Sequence, residues 1–297
     1  MVDCRDANIG FHPFPQGLSV VLVTGATGNV GRAAVGWLVA RNHGVRAAVD
    51  DTDADAWNGR AELVRFDWSD PSTWEPALDG VESFVLVRPP AMENVGALCD
   101  LSTMAVRRGC RRVVFLSVSG ADPVRWLPHR KIEEHLRLIE ASWTFLRAGF
   151  FMQNLVDRHL DDIREGCLRL PAGRAKVAWV DARDVGEAAA RSLLDGIWEQ
   201  RTPVLTGPQA LDFQEVCQEL SAGTGREVRY RSCSAVGYFL RLRLRRGLPI
   251  ARCLVQTLRH RNLKSGEASE VRDDLRLLLG RSPRTMLDYL REHREIL

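Results

Sequence analysis

Through the first half of the chain, short apolar runs alternate with segments whose apolar residues recur at helical spacing. SVVLVT (19–24), VRAAVD (45–50), ELVRF (62–66), SFVLV (83–87), RRVVFLSV (111–118) and WTFLR (143–147) are short, rich in β-branched and aromatic residues, and apolar on both alternating faces. Strands buried on both sides read this way. Between them, 30–42, 71–78, 93–109 and HRKIEEHLRLIEA (129–141) read as helices. Strands and helices in strict alternation predict an α/β fold, a doubly wound parallel sheet covered on both faces. After Gly149 the rhythm breaks. A helix near 152–164, a strand at 176–180, a helix over 183–195 and one more strand in PVLTG (203–207) are followed by a helical third: 213–222, 235–246, 250–261, 271–279 and 283–293. The expected organisation is an irregular leader (1–17), a nucleotide-type sheet domain (18–150) and a smaller, mostly helical C-terminal lobe (151–297) that binds substrate and is partly interleaved with the sheet.

The junction of the first strand and first helix carries TGATGNVGR (24–32). Gly25, Gly28 and Gly31 are spaced G-x-x-G-x-x-G, with Thr27, Asn29 and Val30 between and beside them. Glycines there let the backbone turn tightly and approach a pyrophosphate with no Cβ in the way. The next helix offers free N–H groups and the positive end of its dipole to phosphate oxygens. Asp50 closes the second strand 19 positions after Gly31, where a carboxylate accepts hydrogen bonds from the adenosine ribose. The cofactor is therefore NAD(H) or NADP(H). Asp50, followed by Asp51, repels a 2′-phosphate and leans the preference to NAD(H), with Arg32 and Arg46 near enough to compensate. Asp67, just past the third strand, either lies by the adenine or caps the helix that starts at Pro71.

Composition narrows the class. The 297 residues are 45% hydrophobic and 27% charged, enough to bury a large core without staples. A net charge of +3 does not advertise nucleic acid or a membrane surface. Lysine occurs at positions 131, 176 and 264 alone, so the basic charge is almost all arginine. The arginine-dense RLRLRRG (241–247) reads as a solvated or salt-bridged helix face. Seven scattered cysteines, an odd number with no CxxC pair, argue against a disulfide framework and against a metal site. No apolar run reaches the roughly 18 residues of a membrane span, and no secretory signal is apparent. The expectation is a cytoplasmic protein with a small-molecule substrate and no nucleic-acid or membrane partner; a homodimer stays open.

Beyond the glycine turn, FDWSDPSTW, ALDGVESFVLVRPP, FLSVSGAD, LPHRKIEEHLRLIEASWTFLRAGFFMQNL (127–155), WVDARDVGEAAA (179–190) and GRSPRTMLDYLREH (280–293) carry a resemblance. From residue 18 onward the sequence resembles the NmrA-like group of atypical short-chain dehydrogenase/reductases. The resemblance implies a Rossmann domain, a small C-terminal lobe and a cleft between them. The family divides into working NAD(P)H-dependent reductases and non-catalytic dinucleotide-sensing regulators that bind a protein partner. Two positions depart from its pattern. Asp50 stands where members often carry a basic residue, and Arg147-Ala148 stands where Arg-Pro is usual. Ser117 and Ser119 match the usual position of a dehydrogenase active-site serine.

The ordinary acid of short-chain dehydrogenases, a Tyr-x-x-x-Lys pair, is absent. Tyr230, Tyr238 and Tyr289 are followed four positions on by Ser234, Leu242 and His293. The candidates left near the sheet's C-terminal edge are Ser117 or Ser119, His129 and Lys131. Lys131 could hold the nicotinamide ribose and His129 could donate a proton near neutral pH. Two residues apart on a helix, they point in different directions, so at most one faces the nicotinamide. Phe150, Phe151 and Asn154, with Met152 among them, are expected to line an apolar substrate pocket, and Trp126 and Trp179 to flank a flat ligand. The expected activity is reduction of a small apolar, aromatic or quinone-like carbonyl compound in bacterial specialised metabolism. The alternative is the dinucleotide-sensing regulator.

Overall fold

The computed structural model describes residues 20–50, 57, 59–89, 92, 95–121 and 127–297, so the leader lies outside the described residues. The strands β1 (Val20–Val23), β2 (Gly44–Val49), β3 (Glu62–Arg65), β4 (Val81–Val87), β5 (Arg112–Val118) and β6 (Ser142–Ala148) fall where the apolar runs predict them. A seventh, β9 (Val204–Leu205), joins them in one sheet of order β3-β2-β1-β4-β5-β6-β9. Every pairing in that sheet is parallel. The strand order reverses beside β1, which makes a topological switch point between β1 and β4 at the strands' C-terminal edge.

Helices cover both faces. On one lie α1 (Asn29–Val39), α6 (Ala182–Asp195) and α10 (Asp274–Leu279), packed on Val21, Val23, Val85, Val114 and Leu146. On the other lie α2 (Trp74–Leu78), α3 (Gly96–Arg107) and α4 (Pro128–Leu136), packed on Leu22, Phe84, Leu86, Phe115 and Phe145. The alternation of these two sets along each strand is the two-residue side-chain period of a sheet buried on both faces.

A second core joins α5 (Asn154–Arg164), α7 (Phe213–Thr224), α8 (Ala235–Arg245), α9 (Ile250–Asn262) and α11 (Met286–Glu292) around Trp179, Phe213, Tyr238 and Tyr289. Three short pieces of strand there are absent from the sequence-based expectation: β7 (Cys167–Leu170), β10 (Ala210–Asp212) and β11 (Arg229–Ser232). The last, RYRS, is mostly exposed and exists by parallel pairing with β7. The remaining short strand, β8 (Lys176–Ala178), pairs antiparallel with β10. Among the described residues no helix is long and apolar enough to cross a membrane.

The two halves of the chain meet where α1 presses against α6. A Cβ on Gly186 would lie 2.6 Å from Ala33 Cβ, 2.6 Å from Val30 O and 2.8 Å from Ala34 N. Two of those three atoms are backbone, so the contact closes only with glycine. Gly186→Val is expected to lower the folding free energy by about 1–3 kcal/mol through overpacking and to weaken dinucleotide binding, because α1 must move. Urea unfolding and a binding titration check this; unchanged stability would refute the close contact.

Candidate functional site

The turn after β1 is built by its own backbone. Gly25 sits at φ +59, and a Cβ on Gly31 would fall 2.1 Å from Gly25 O. Gly28 is the N-cap residue of α1 and supplies no side-chain oxygen, so no side chain caps the first N–H groups of the helix. A turn in which Gly31 admits no Cβ and Gly25 takes a positive φ, next to an uncapped helix start at the switch point, fits a pyrophosphate. Val30 is buried, Thr27 half-buried, and Asn29 exposed at the first turn. Asn29 Nδ2 donates to Asp157 Oδ2 at 2.8 Å, tying the turn to α5.

Asp50 comes directly after β2 and is exposed, while Asp51 lies outside the described residues. Of the two arginines expected to compensate Asp50, Arg46 is otherwise engaged. Its Nε pairs with Glu62 at 2.9 Å, and its guanidinium donates to the carbonyls of Pro76, Ala77 and Asp79 at the end of α2. Arg32 is exposed and donates to Thr27 O at 3.5 Å. Asp67 does not cap the helical turn at Pro71; Asp70 does, accepting from Ser72 N. Asp67 accepts instead from Ser69 N at 2.8 Å and Ser69 Oγ at 2.7 Å, bonds that hold its carboxyl below the usual carboxylate range.

Strand ends form the next wall. Thr24 is buried; its Oγ1 accepts from Val87 N at 2.9 Å and donates to Val85 O at 3.3 Å, pinning β1 to β4. Arg88 comes directly after β4. Sequence reasoning missed both, although each stands at a strand's C-terminal end, where such sheets bind ligands. Across β5, Ser117 is buried and its hydroxyl donates to Glu133 Oε1 at 2.6 Å. Glu133, on α4, has no exposed surface. Its two oxygens also take Arg147 Nε at 3.0 Å and Arg147 Nη2 at 2.7 Å. The serine expected at the reacting carbonyl is thus part of an ion-pair network inside the protein.

His129 and Lys131 separate as the helical period requires. Lys131 lies on the exposed face of α4. His129 turns toward the sheet, its ring 6.1 Å from that of Phe115, and its Nδ1 is buried with no partner among the described residues. Burial, then the nearby charges of Arg88 and Arg259, push its pKa down to about 4, with Glu133 opposing them weakly. At neutral pH the ring is uncharged, so the free protein does not offer an imidazolium as proton donor.

Past β6 the chain divides its side chains between the cores. Phe150 packs edge-on against Trp179, ring centroids 5.0 Å apart, and Phe151 packs on the sheet's α1 side. Asn154 is buried; its Nδ2 donates to Phe151 O at 2.9 Å and its Oδ1 accepts from Arg158 Nε at 2.9 Å. Trp179 flanks no cleft: it is 1% exposed and donates to Leu211 O at 3.1 Å. Trp126 lies outside the described residues. All three tyrosines belong to the second core: Tyr238 and Tyr289 are buried and Tyr230 donates to Leu170 O at 3.3 Å.

A parallel sheet with a glycine-packed β1–α1 turn at its topological switch point is the arrangement of a dinucleotide-binding α/β protein. The chain belongs to the NmrA-like family, whose model matches residues 18–271. It is 35% identical to an NAD(P)H azoreductase of Xenophilus azovorans over 71% of this chain and 76% of that one. It is 30% identical to an uncharacterised oxidoreductase of Bacillus subtilis over 92% of this chain and 94% of that one. Among solved structures, an NADPH-dependent quinone oxidoreductase of Escherichia coli in complex with NADPH superposes with a TM-score of 0.81, covering 92% of this chain and 99% of that one at 20% identity. That last likeness is one of fold.

The Ser117–Glu133–Arg147 network predicts a separation of stability from chemistry. Glu133→Ala should cost about 3–5 kcal/mol, as expected for removing one partner of a buried ion pair. Ser117→Ala should cost about 1 kcal/mol, the worth of one hydrogen bond. Turnover per folded Ser117→Ala molecule should stay within about twofold of the parent. Thermal melts with active-site-normalised rates check this; a hundredfold loss of rate in a folded Ser117→Ala variant would return the serine to catalysis.

Proposed function

We propose that the protein is an NAD(P)H-dependent reductase of a small, apolar, aromatic or quinone-like carbonyl compound. The observation that carries this reading is one shared edge of the sheet. The uncapped, glycine-packed turn at residues 25–31 and the wall made by Arg88 and His129 both stand at strand C-terminal ends. The named relatives support it: one is an azoreductase and another an oxidoreductase by name. In this reading Gly25, Gly28, Gly31 and the first N–H groups of α1, with Thr27, Asn29 and Val30 around them, hold the pyrophosphate. Asp50 takes the adenosine ribose and Asp67 lies toward the adenine. The dinucleotide, when bound, supplies the hydride. The chain's part is to orient a flat conjugated acceptor between the strand ends and α5, with Phe150, Phe151 and Asn154 shaping the floor.

No tyrosine is available, so the proton must come from His129, Lys131 or solvent. His129 has the better placement, since it faces the sheet edge while Lys131 faces out. His129→Ala is expected to lower turnover roughly 10²-fold, the smaller effect of a positioned acid or base, and Lys131→Ala to change it less than threefold. Steady oxidation of NADH with a panel of quinones and aromatic ketones tests the activity itself. Absence of any turnover across that panel would favour the dinucleotide-sensing regulator.

The cofactor preference is a separate outcome. With Arg46 paired elsewhere, a 2′-phosphate beside Asp50 meets like charge, at a cost on the order of 1–2 kcal/mol when partly screened. NAD(H) should bind at least as tightly as NADP(H) in a fluorescence titration. Tenfold tighter NADP(H) would mean that Arg32 outweighs the carboxylate.

A further inference from the structure

Most enclosed arginines in the described residues face a carboxylate. Arg147 has Glu133, Arg183 has Asp181, Arg241 and Arg246 share Asp162, and Arg281 and Arg284 share Asp184. Arg88, Arg158 and Arg259 are among those that have no such partner among the described residues. Arg88 donates to Met92 O, and its Nε is buried without any partner. Arg158 donates its Nε to the neutral Asn154. Arg259 makes no hydrogen bond or ion pair with a described residue.

These three come from different elements that meet. Arg88 stands just past β4 at the switch point. Arg158 stands on α5, the helix after β6, and Arg259 stands on α9. The packing of α5 on α9 is fixed by the residues next in sequence: His159 and His260 are both 1% exposed, and their ring centroids are 5.3 Å apart. The ring of His260 also lies 5.9 Å from that of Phe150, at the end of β6. The Arg-His dipeptide thus occurs on each helix with its histidine turned into the core. Arg88 and Arg259 are both near enough to His129 to oppose its protonation, and Arg158 is near enough to act likewise on Arg259. The Arg259 side chain is open to solvent, yet surrounding protein penalises its charge.

The carboxylates described nearby are engaged elsewhere or exposed: on α5, Asp157 accepts from Asn29, Asp162 pairs with Arg241 and Arg246, and Asp161 is exposed. Glu133, the carboxylate facing His129, is occupied by Arg147 and Ser117. Residues 228–266, which include α8 and α9, contain nine arginines and one lysine and neither aspartate nor glutamate. The half-buried guanidinium groups of Arg88 and Arg158 are costly to leave without a counter-charge, and planar forks like these and that of Arg259 match an oxyanion in two-point contacts.

We propose that Arg88, Arg158 and Arg259 form an anion-recognition site in the substrate cleft, and that the substrate is a flat conjugated electrophile bearing a carboxylate, sulfonate or phosphate. The assignment of the site as the substrate's rests on the reductase reading, whereas the anion preference does not. A second consequence concerns His129. An anion seated on Arg88 and Arg259 offsets the two charges that oppose protonation of the ring, so the imidazole gains a proton more readily with substrate than without it.

The test uses protein saturated with NAD⁺, so that no reduction occurs, and compares 1,4-naphthoquinone with 1,4-naphthoquinone-2-sulfonate by calorimetry. The sulfonate should bind at least tenfold more tightly, and its affinity alone should fall with added salt. Arg158→Gln and Arg259→Gln should each cut that preference at least threefold. Arg243→Gln, at an exposed position on α8, should leave it unchanged. Melting curves confirm that the variants are folded. Equal affinities, a preference that survives both variants, or no binding of the sulfonate overturns the proposal. So does sulfonate binding seen only without dinucleotide, since the arginines would then serve the dinucleotide's own phosphates. If the sulfonate binds as expected but NADH is never consumed, the reductase reading fails and the anion site stands.

Discussion

A carboxylate with no exposed surface must be answered by positive charge, and the way Glu133 is answered positions much of this site. Its oxygens collect the guanidinium of Arg147 from β6 and the hydroxyl of Ser117 from β5. Those strands are neighbours, in register at Ser117 and Arg147. The network therefore clamps α4 to two strands at once, close to their C-terminal ends. His129 lies about one turn before Glu133 on the same helix, so its aim toward the sheet edge is set by the clamp. The low dielectric that strengthens these bonds also makes them hard to do without. A flexible α4 would leave the site with neither a fixed imidazole nor a wall beside Arg88.

The C-terminal half is held to the nucleotide half by contacts that tolerate little change. Gly186 lets α6 approach α1, the helix whose start would receive the phosphates. Two sets of charged contacts reinforce the same region. Asp184, fully buried on α6, accepts from Arg281 at 2.7 Å and from Arg284, which lie nearly a hundred residues further on. Asp181 caps α6 and joins Gln153 at the start of α5. With Asn29 bonded to Asp157, the turn, α5 and α6 form one connected unit.

Much of the fold was legible because its elements are locally consistent. Six apolar runs became six strands, and the helices of the C-terminal third fall within a few residues of their expected positions. Glu62–Arg65 and Arg112–Val118 needed only their own composition. β7, β10 and β11 were not legible, because three or four residues of mixed polarity become strand only when a partner from elsewhere arrives. The glycine turn was readable for the same local reason. The other half of the site was not. Ser117 matches an active-site serine by position, yet its partner is set by Glu133, sixteen residues away on another element. Trp179 has the size to flank a ligand but spends its ring in a core made by Phe150 and Phe213. Arg158 and Arg259 carry no spacing signal at all, since only the fold brings their histidines together.

A dehydrogenase with Tyr-x-x-x-Lys carries a standing acid whose pKa is set before substrate arrives. Here the tyrosines are locked in the second core, and the imidazole nearest the strand ends is kept neutral by burial and by two cations. On the reductase reading, the acid is therefore readied when substrate binds and is not standing beforehand. A conjugated electrophile suits such a site, because the charge that develops on accepting hydride is spread over its ring system until a proton arrives. On the proposed reading, arginine seats the substrate's anionic group, and the same contact readies the imidazole of His129 to carry the proton that a standing tyrosine supplies elsewhere.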